Sequence, residues 1–368
     1  MSRGAQLVGI LVVVTIIVGV AVFLHHGGEE TGTTTTSTTR QAVSSSITTT
    51  SSTAAAGSGK KLVVFCAGSL YIPLQKLATI YEQQHPGVEV IIEPSGSVKA
   101  VRKVTELGRR CDVMALADYR LIPECMIPNY AKWYIAFATN QIVLCYTGKS
   151  RGAEEINSSN WLEILAKPDT KYGFSNPNDD PCGYRAVTVL GLACLLYNDS
   201  SILEKLVLSK TNMQAEMVNG TLHIKVPGNL EIKEGSDLEI RSKSVDLIAL
   251  LETGALDYAF EYKSVAVQHN LSFVELPPQL NLGDPAYKEI YSRVVIHILY
   301  GSNKEKAVAG APIVYGVTIP STAENIEGAK EFIKLLLSDT GRKVFEEHGQ
   351  PFLEKPLYSE GVPGELKG

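Results

Sequence analysis

The sequence is short of the residues that most often announce a function. No run of Lys or Arg stands out among its 34 basic residues, and the net charge is −5. The electrostatic footprint of a nucleic-acid binder is therefore missing. Six cysteines (Cys66, Cys111, Cys125, Cys145, Cys182 and Cys194) contain no C-x-x-C pair and no zinc-type cluster. They are either buried thiols or partners in disulfides that spacing does not assign, with Cys111 and Cys125 nearest in sequence. Seven histidines form no spaced cluster, which removes a common source of ligands for a metal site. There is no P-loop and no G-x-S-x-G elbow, since "PSGSV" has the wrong spacing. A hydrolase built on Ser69 or Ser97 would need a base. His85 and His297 are the only ones near core strands, and each is more simply structural.

What the chain does have is apolar content, 45% of 368 residues, enough for two lobes rather than one core. Residues 1–28 read as a signal or a membrane anchor. Arg3 precedes an uncharged apolar run from Leu7 to Leu24, which as a helix spans roughly 27 Å, enough for a thin bilayer. The absence of a small-x-small cleavage pattern, and of a Cys to carry a lipid, favours a retained anchor. Residues 29–59 form a Thr/Ser-rich tract that cannot bury a core, either a plain linker or an O-glycosylated stalk. Four N-x-S/T sequons, at Asn157, Asn198, Asn219 and Asn270, are in keeping with an exterior location.

From Lys60 the pattern is β-turn-α-β-turn-α-β: "KLVVFCAGSL", a helix closed by Pro86-Gly87, "VEVIIEPSGSV", "KAVRKVTELG" and "CDVMALAD". This predicts a parallel sheet covered by helices. "FATNQIVLCYT" reads as one long strand leaving that lobe, and "PIVYGVTIP" as a strand returning to it. The expected architecture is α/β and two-lobed. Residues 60–140 and about 316–368 form one lobe, and 141–315 the other. An insertion at about 205–240 carries an Asn-Gly hairpin away from the site. Ligands of such folds sit in the cleft, where strands end.

Four strand-end segments face that cleft: "AGSL", "PSGSV", "NDDPCGY" and "FEYKS". Ser69, after Gly68, and Ser97 occupy equivalent βα turns. Each could cap its helix or donate to a ligand. Two of them beside glycines, with free N–H groups at helix starts, suit a small tetrahedral oxyanion. Arg185 is placed either for that anion or for a structural ion pair. Asp180 and Glu261 argue against a common anion. Each alone could be a cap or a solvated residue, but together they repel it, by about 4 kcal/mol per contact at ~4 Å and an effective dielectric near 20. Sulfate and phosphate gain nothing in return. Molybdate and tungstate contain a hard metal that can take extra oxygen ligands, so carboxylates could bond the metal itself while rejecting the commoner anions.

The segments "AGSL", "GSVKAVRKVTELGRRCDVMALADYRLIP", "YAKWYIAFATNQIVLCYT", "SNPNDDPCGYRA" and "DYAFEYKSVAVQHNLSFVELP" resemble archaeal-type tungstate/molybdate-binding proteins of ABC transporters, over residues 62–350. The resemblance implies a type II periplasmic-binding-protein fold that closes on its ligand by hinge motion. It implies capture of tungstate or molybdate outside the cell and delivery to a membrane permease. A monomer with no catalytic residues and no cofactor is expected. It places the metal ligands on Asp180 and Glu261, with Asp179 as competitor to Asp180. The oxyanion contacts fall on Gly68, Ser69, Ser97, the Cys182 backbone N–H and Tyr315. Binding proteins for sulfate, phosphate or ferric ion, and an exported hydrolase, are the alternatives.

Overall fold

A computed structural model describes residues 60–367. The apolar run 7–24 and the Thr/Ser tract 29–59 lie outside them. Among the described residues no helix is long and apolar enough to cross a membrane.

Strand Lys60–Ala67 pairs in parallel with Val88–Ser95 on one side and Val113–Leu116 on the other. Its side chains from Leu62 to Ala67 are buried, apart from the half-buried Val63. An uninterrupted apolar strand of this kind needs cover on both faces. Helix Ser97–Thr105 supplies part of it, burying Val98, Val101 and Val104 at a spacing of one turn. The strands Ile135–Thr139, Val314–Thr318 and Phe352–Tyr358 complete a six-stranded mixed sheet. This is the first lobe.

The second lobe holds two sheets. One has five strands, ordered Ser272–Glu275, Ile142–Tyr146, Tyr258–Tyr262, Tyr172–Ser175 and Leu238–Arg241. The other has four, ordered Lys306–Ala309, Val294–Tyr300, Thr221–Pro227 and Gln214–Val218. Helix Pro181–Tyr197 packs against both, and is buried from Pro181 to Cys194 on every side. A helix buried on every side, with Arg185 as its one charged residue, belongs in a protein interior.

Two expectations from sequence differ from the structure. "FATNQIVLCYT" is two strands, broken at Asn140–Gln141. Asn140 is polar and buried there. It donates to Ser264 Oγ (2.7 Å) and the Tyr315 hydroxyl (3.0 Å), so the break is a hydrogen-bonded crossing between lobes. The insertion is more than a hairpin. Asn219 and Gly220 do form a turn with φ of 49° and 81°, the pattern of a type I′ hairpin. Its second strand then pairs in parallel with Val294–Tyr300 to build the four-stranded sheet. Strand Leu238–Arg241 joins the five-stranded sheet and carries the chain on to Ser244, which reaches the cleft.

Candidate functional site

Three chain turns meet where the lobes touch. Gly68-Ser69-Leu70 makes a short 3₁₀ turn between strand and helix. Gly96 caps the helix that begins at Ser97. Asp180 caps the helix beginning at Pro181, with extended backbone at the cap and Pro at the first helical position. The Gly96 turn abuts Asp179 so closely that a Cβ on Gly96 would lie 2.3 Å from the Asp179 carbonyl oxygen. The Lys99 N–H donates to that same oxygen at 3.1 Å. These are backbone atoms and have no rotamer to give way. Gly96→Ala is therefore expected to hold the lobes apart and lower ligand affinity at least about tenfold, with the lobes still folded. Calorimetry beside circular dichroism checks both parts.

Around the meeting point the contacts link up residue by residue. Ser69 Oγ lies 3.1 Å from the Tyr315 hydroxyl. The Tyr315 ring lies against that of Tyr262, centroids 5.9 Å apart. The Arg185 guanidinium donates to the Tyr262 hydroxyl (2.7 Å) and to the Ala117 carbonyl (2.8 Å). The Ala117 N–H donates to Ser97 Oγ at 3.0 Å, leaving the Ser97 hydroxyl hydrogen to donate elsewhere. Ser97 follows Gly96, which touches Asp180, and Asp180 Oδ1 accepts from the Cys182 N–H at a long 3.4 Å. The Cys182 thiol lies 3.9 Å from Glu261 Oε2. Ser69, Ser97, Asp180, Cys182, Glu261 and Tyr315 are all buried, and Gly68 stands against Val245 of the opposite lobe.

The two carboxylates are the anomaly. Asp180 Oδ2 accepts from the Ser244 N–H at 2.9 Å, and burial pushes its carboxyl up to about 6. Glu261 is 0% exposed. Its Oε2 accepts the Tyr262 N–H at 3.2 Å, and among the described residues its Oε1 has no partner at hydrogen-bonding distance. Burial first, then the nearby Asp180 charge, push Glu261 up to about 8. A buried carboxylate oxygen without a donor is costly in a folded protein. Asp179 differs. Its side chain lies 3.7 Å from Arg102 and is partly exposed. Of the adjacent pair, only Asp180 faces inward.

The bases of a hydrolase are elsewhere. His85 bonds the Tyr81 carbonyl (2.9 Å) at the far end of the helix that starts beside Ser69. His297 lies between His223 (2.9 Å) and Glu305 (3.2 Å) on the four-stranded sheet. Neither touches Ser69 or Ser97.

A family model described as "Bacterial extracellular solute-binding protein" matches residues 62–350. The chain belongs to that family. Among relatives of this solute-binding protein, a solute-binding protein of Staphylothermus marinus is 53% identical over 309 residues, 83% of this chain and 88% of the relative. The molybdate/tungstate-binding protein WtpA of Pyrococcus abyssi is 46% identical over 315 residues, 84% and 89% of the two chains. WtpA of Thermococcus kodakarensis is 47% identical over 314 residues, 83% and 86%. Among solved structures, the periplasmic molybdate-binding protein of Azotobacter vinelandii superposes with a TM-score of 0.52 at 15% identity, covering 78% of this chain and 98% of that one. The solute-binding protein thus has the two-lobed periplasmic-binding-protein fold.

Sequence reasoning missed several groups at the site. Ser244 holds Asp180 from 64 positions downstream. Tyr262, Asn140 and Ser264 fix the hydroxyls around Ser69 and Arg185. Tyr262 and Ser264 had a local signal, since both lie beside Glu261 in "FEYKS".

Proposed function

We infer that this solute-binding protein captures tungstate or molybdate outside the cell and hands it to an ABC permease, without turnover. The observation that carries this reading is the buried Asp180–Glu261 pair, with no donor at hydrogen-bonding distance from Glu261 Oε1 among the described residues. In this reading both carboxylates bond the metal and raise its coordination from four to six, as oxygen donors suit a hard cation. Ser69, Ser97, the Cys182 N–H and Tyr315 receive the oxo groups, and Gly68 lets the backbone come close. The helix N-termini at Ser97 and Pro181 favour the anion's charge. The WtpA names of the relatives support the same ligand. Attachment by residues 7–24 and action as a monomer belong to this proposal as well.

Sulfate and phosphate test the reading. Both are tetrahedral anions that accept no fifth ligand, but phosphate keeps a proton it can donate to a carboxylate, so sulfate is the one that meets ionised Asp180 and Glu261 as repulsion alone. Calorimetry should give one tungstate or molybdate per chain and no displacement by sulfate. Equal affinity for sulfate would remove the role given to the carboxylates.

A further inference from the structure

The geometry points to a closure latch, made of Asp118, Tyr184 and Arg185, that sets how long the bound anion stays. Asp118 follows strand Val113–Leu116 in the first lobe, whereas Tyr184 and Arg185 lie near the start of helix Pro181–Tyr197 in the second. The Tyr184 hydroxyl donates to Asp118 Oδ2 at 2.8 Å, and Arg185 Nη2 lies 3.4 Å from the same oxygen. Both charged side chains are only 3% exposed. Arg120 of the first lobe holds the carboxylate from the other side, with Nη2 at 2.7 Å, and its Nη1 reaches the Ala309 carbonyl of the second lobe at 2.9 Å. Arg185 also donates to Ala117 across the cleft and to Tyr262, the residue after Glu261.

The wiring has a direction. Arg120 can keep Asp118 neutralised in either state of the cleft, because both belong to one lobe. Tyr184 and Arg185 meet Asp118 only when the lobes are together. Helix Pro181–Tyr197 begins at the proposed ligand Asp180, so an anion that pulls on this helix start brings Tyr184 and Arg185 onto Asp118. The latch is then formed by closure and must break before release. Other contacts across the cleft are of a different kind. Lys304 and Glu106 pair at 2.8 Å but are 53% and 34% exposed, and such pairs contribute little. Removing Asp118 would leave Arg120 and Arg185 in the closed cleft without their shared anion, and a buried charge stripped of its partner costs far more.

This inference rests on the tungstate/molybdate reading, and the experiment separates the two. The dissociation rate of bound tungstate is measured by isotope chase on the full chain, with metal coordination read by X-ray absorption on the same samples. Asp118→Asn should speed dissociation by about tenfold to a hundredfold, with the association rate and coordination number kept. Tyr184→Phe, which removes one hydroxyl and leaves the charges, should speed it severalfold and serves if Asp118→Asn does not fold. Lys304→Ala should change it less than about twofold. If wild-type protein takes up no tungstate, the functional reading fails. If it binds, and the Asp118 and Tyr184 variants release tungstate at the wild-type rate or lose the coordination geometry itself, the latch is wrong.

Discussion

Glu261→Gln is expected to weaken tungstate binding by at least about 100-fold, a larger loss than the 10- to 100-fold typical of groups that only support a metal ligand. The same substitution should stabilise the ligand-free protein at neutral pH. Glu261 titrates near 8 in the folded chain, well above the ordinary 4.5. The folded protein therefore holds a proton that the unfolded chain gives up, across the window from about 4.5 to about 8. Stability contributed by the protonated form is present below that window and is lost as pH rises through it. At one pKa unit to about 1.4 kcal/mol, the burden on the empty protein near pH 7.5 is of the order of a few kcal/mol. Glutamine keeps the shape and carries no charge, so the melting temperature of the empty variant should exceed that of wild type at pH 7.5 and match it near pH 4.5. Adding tungstate should reverse the order, because only the wild type gains the metal bond. Scanning calorimetry with and without ligand reads both effects.

The same carboxyl links binding to protons. A metal-bonded Glu261 must be deprotonated, so loading at pH 7 should release protons, and affinity should climb towards pH 8. Binding enthalpy measured in buffers of different ionisation heat will differ if this is right. Identical enthalpies would mean that Glu261 keeps its proton and is no ligand.

The second large effect separates two adjacent residues. Asp180→Ala should abolish measurable tungstate binding at micromolar protein. It should also cost about 1 kcal/mol of stability, because Asp180 caps a buried helix of 17 residues. Asp179→Ala should leave affinity within a few-fold of wild type. Among the described residues its side chain reaches only Arg102 and Ser242, at 3.7 and 3.4 Å on the rim, and the carbonyl that contacts Lys99 belongs to the backbone. Calorimetry on the two variants decides between them. Binding retained by Asp180→Ala and lost by Asp179→Ala would move the ligand by one position.

The sequence carried the local half of this site. Small residues at "AGSL" and "PSGSV" follow apolar strands and open helices, so the position of Ser69 and Ser97 at strand ends follows from chain periodicity alone. "NDDPCGY" places an acidic cap before a proline, which is a local rule as well. What could not be read is non-local. The four-stranded sheet joins residues near 222 to residues near 295, and no turn signal records that pairing. Reading "FATNQIVLCYT" as one strand gives Asn140 no role, because its partners Ser264 and Tyr315 come more than 100 positions later. Arg185 was ambiguous between ligand and ion pair. The structure gives it Asp118, Ala117 and Tyr262, partners from two places in the chain.

Coordination at the captured atom is the most direct test. X-ray absorption at the tungsten edge of the loaded protein should show six oxygen neighbours, four short oxo bonds and two longer ones to carboxylate. Four equal short distances, as in free tungstate, would mean that Asp180 and Glu261 never reach the metal.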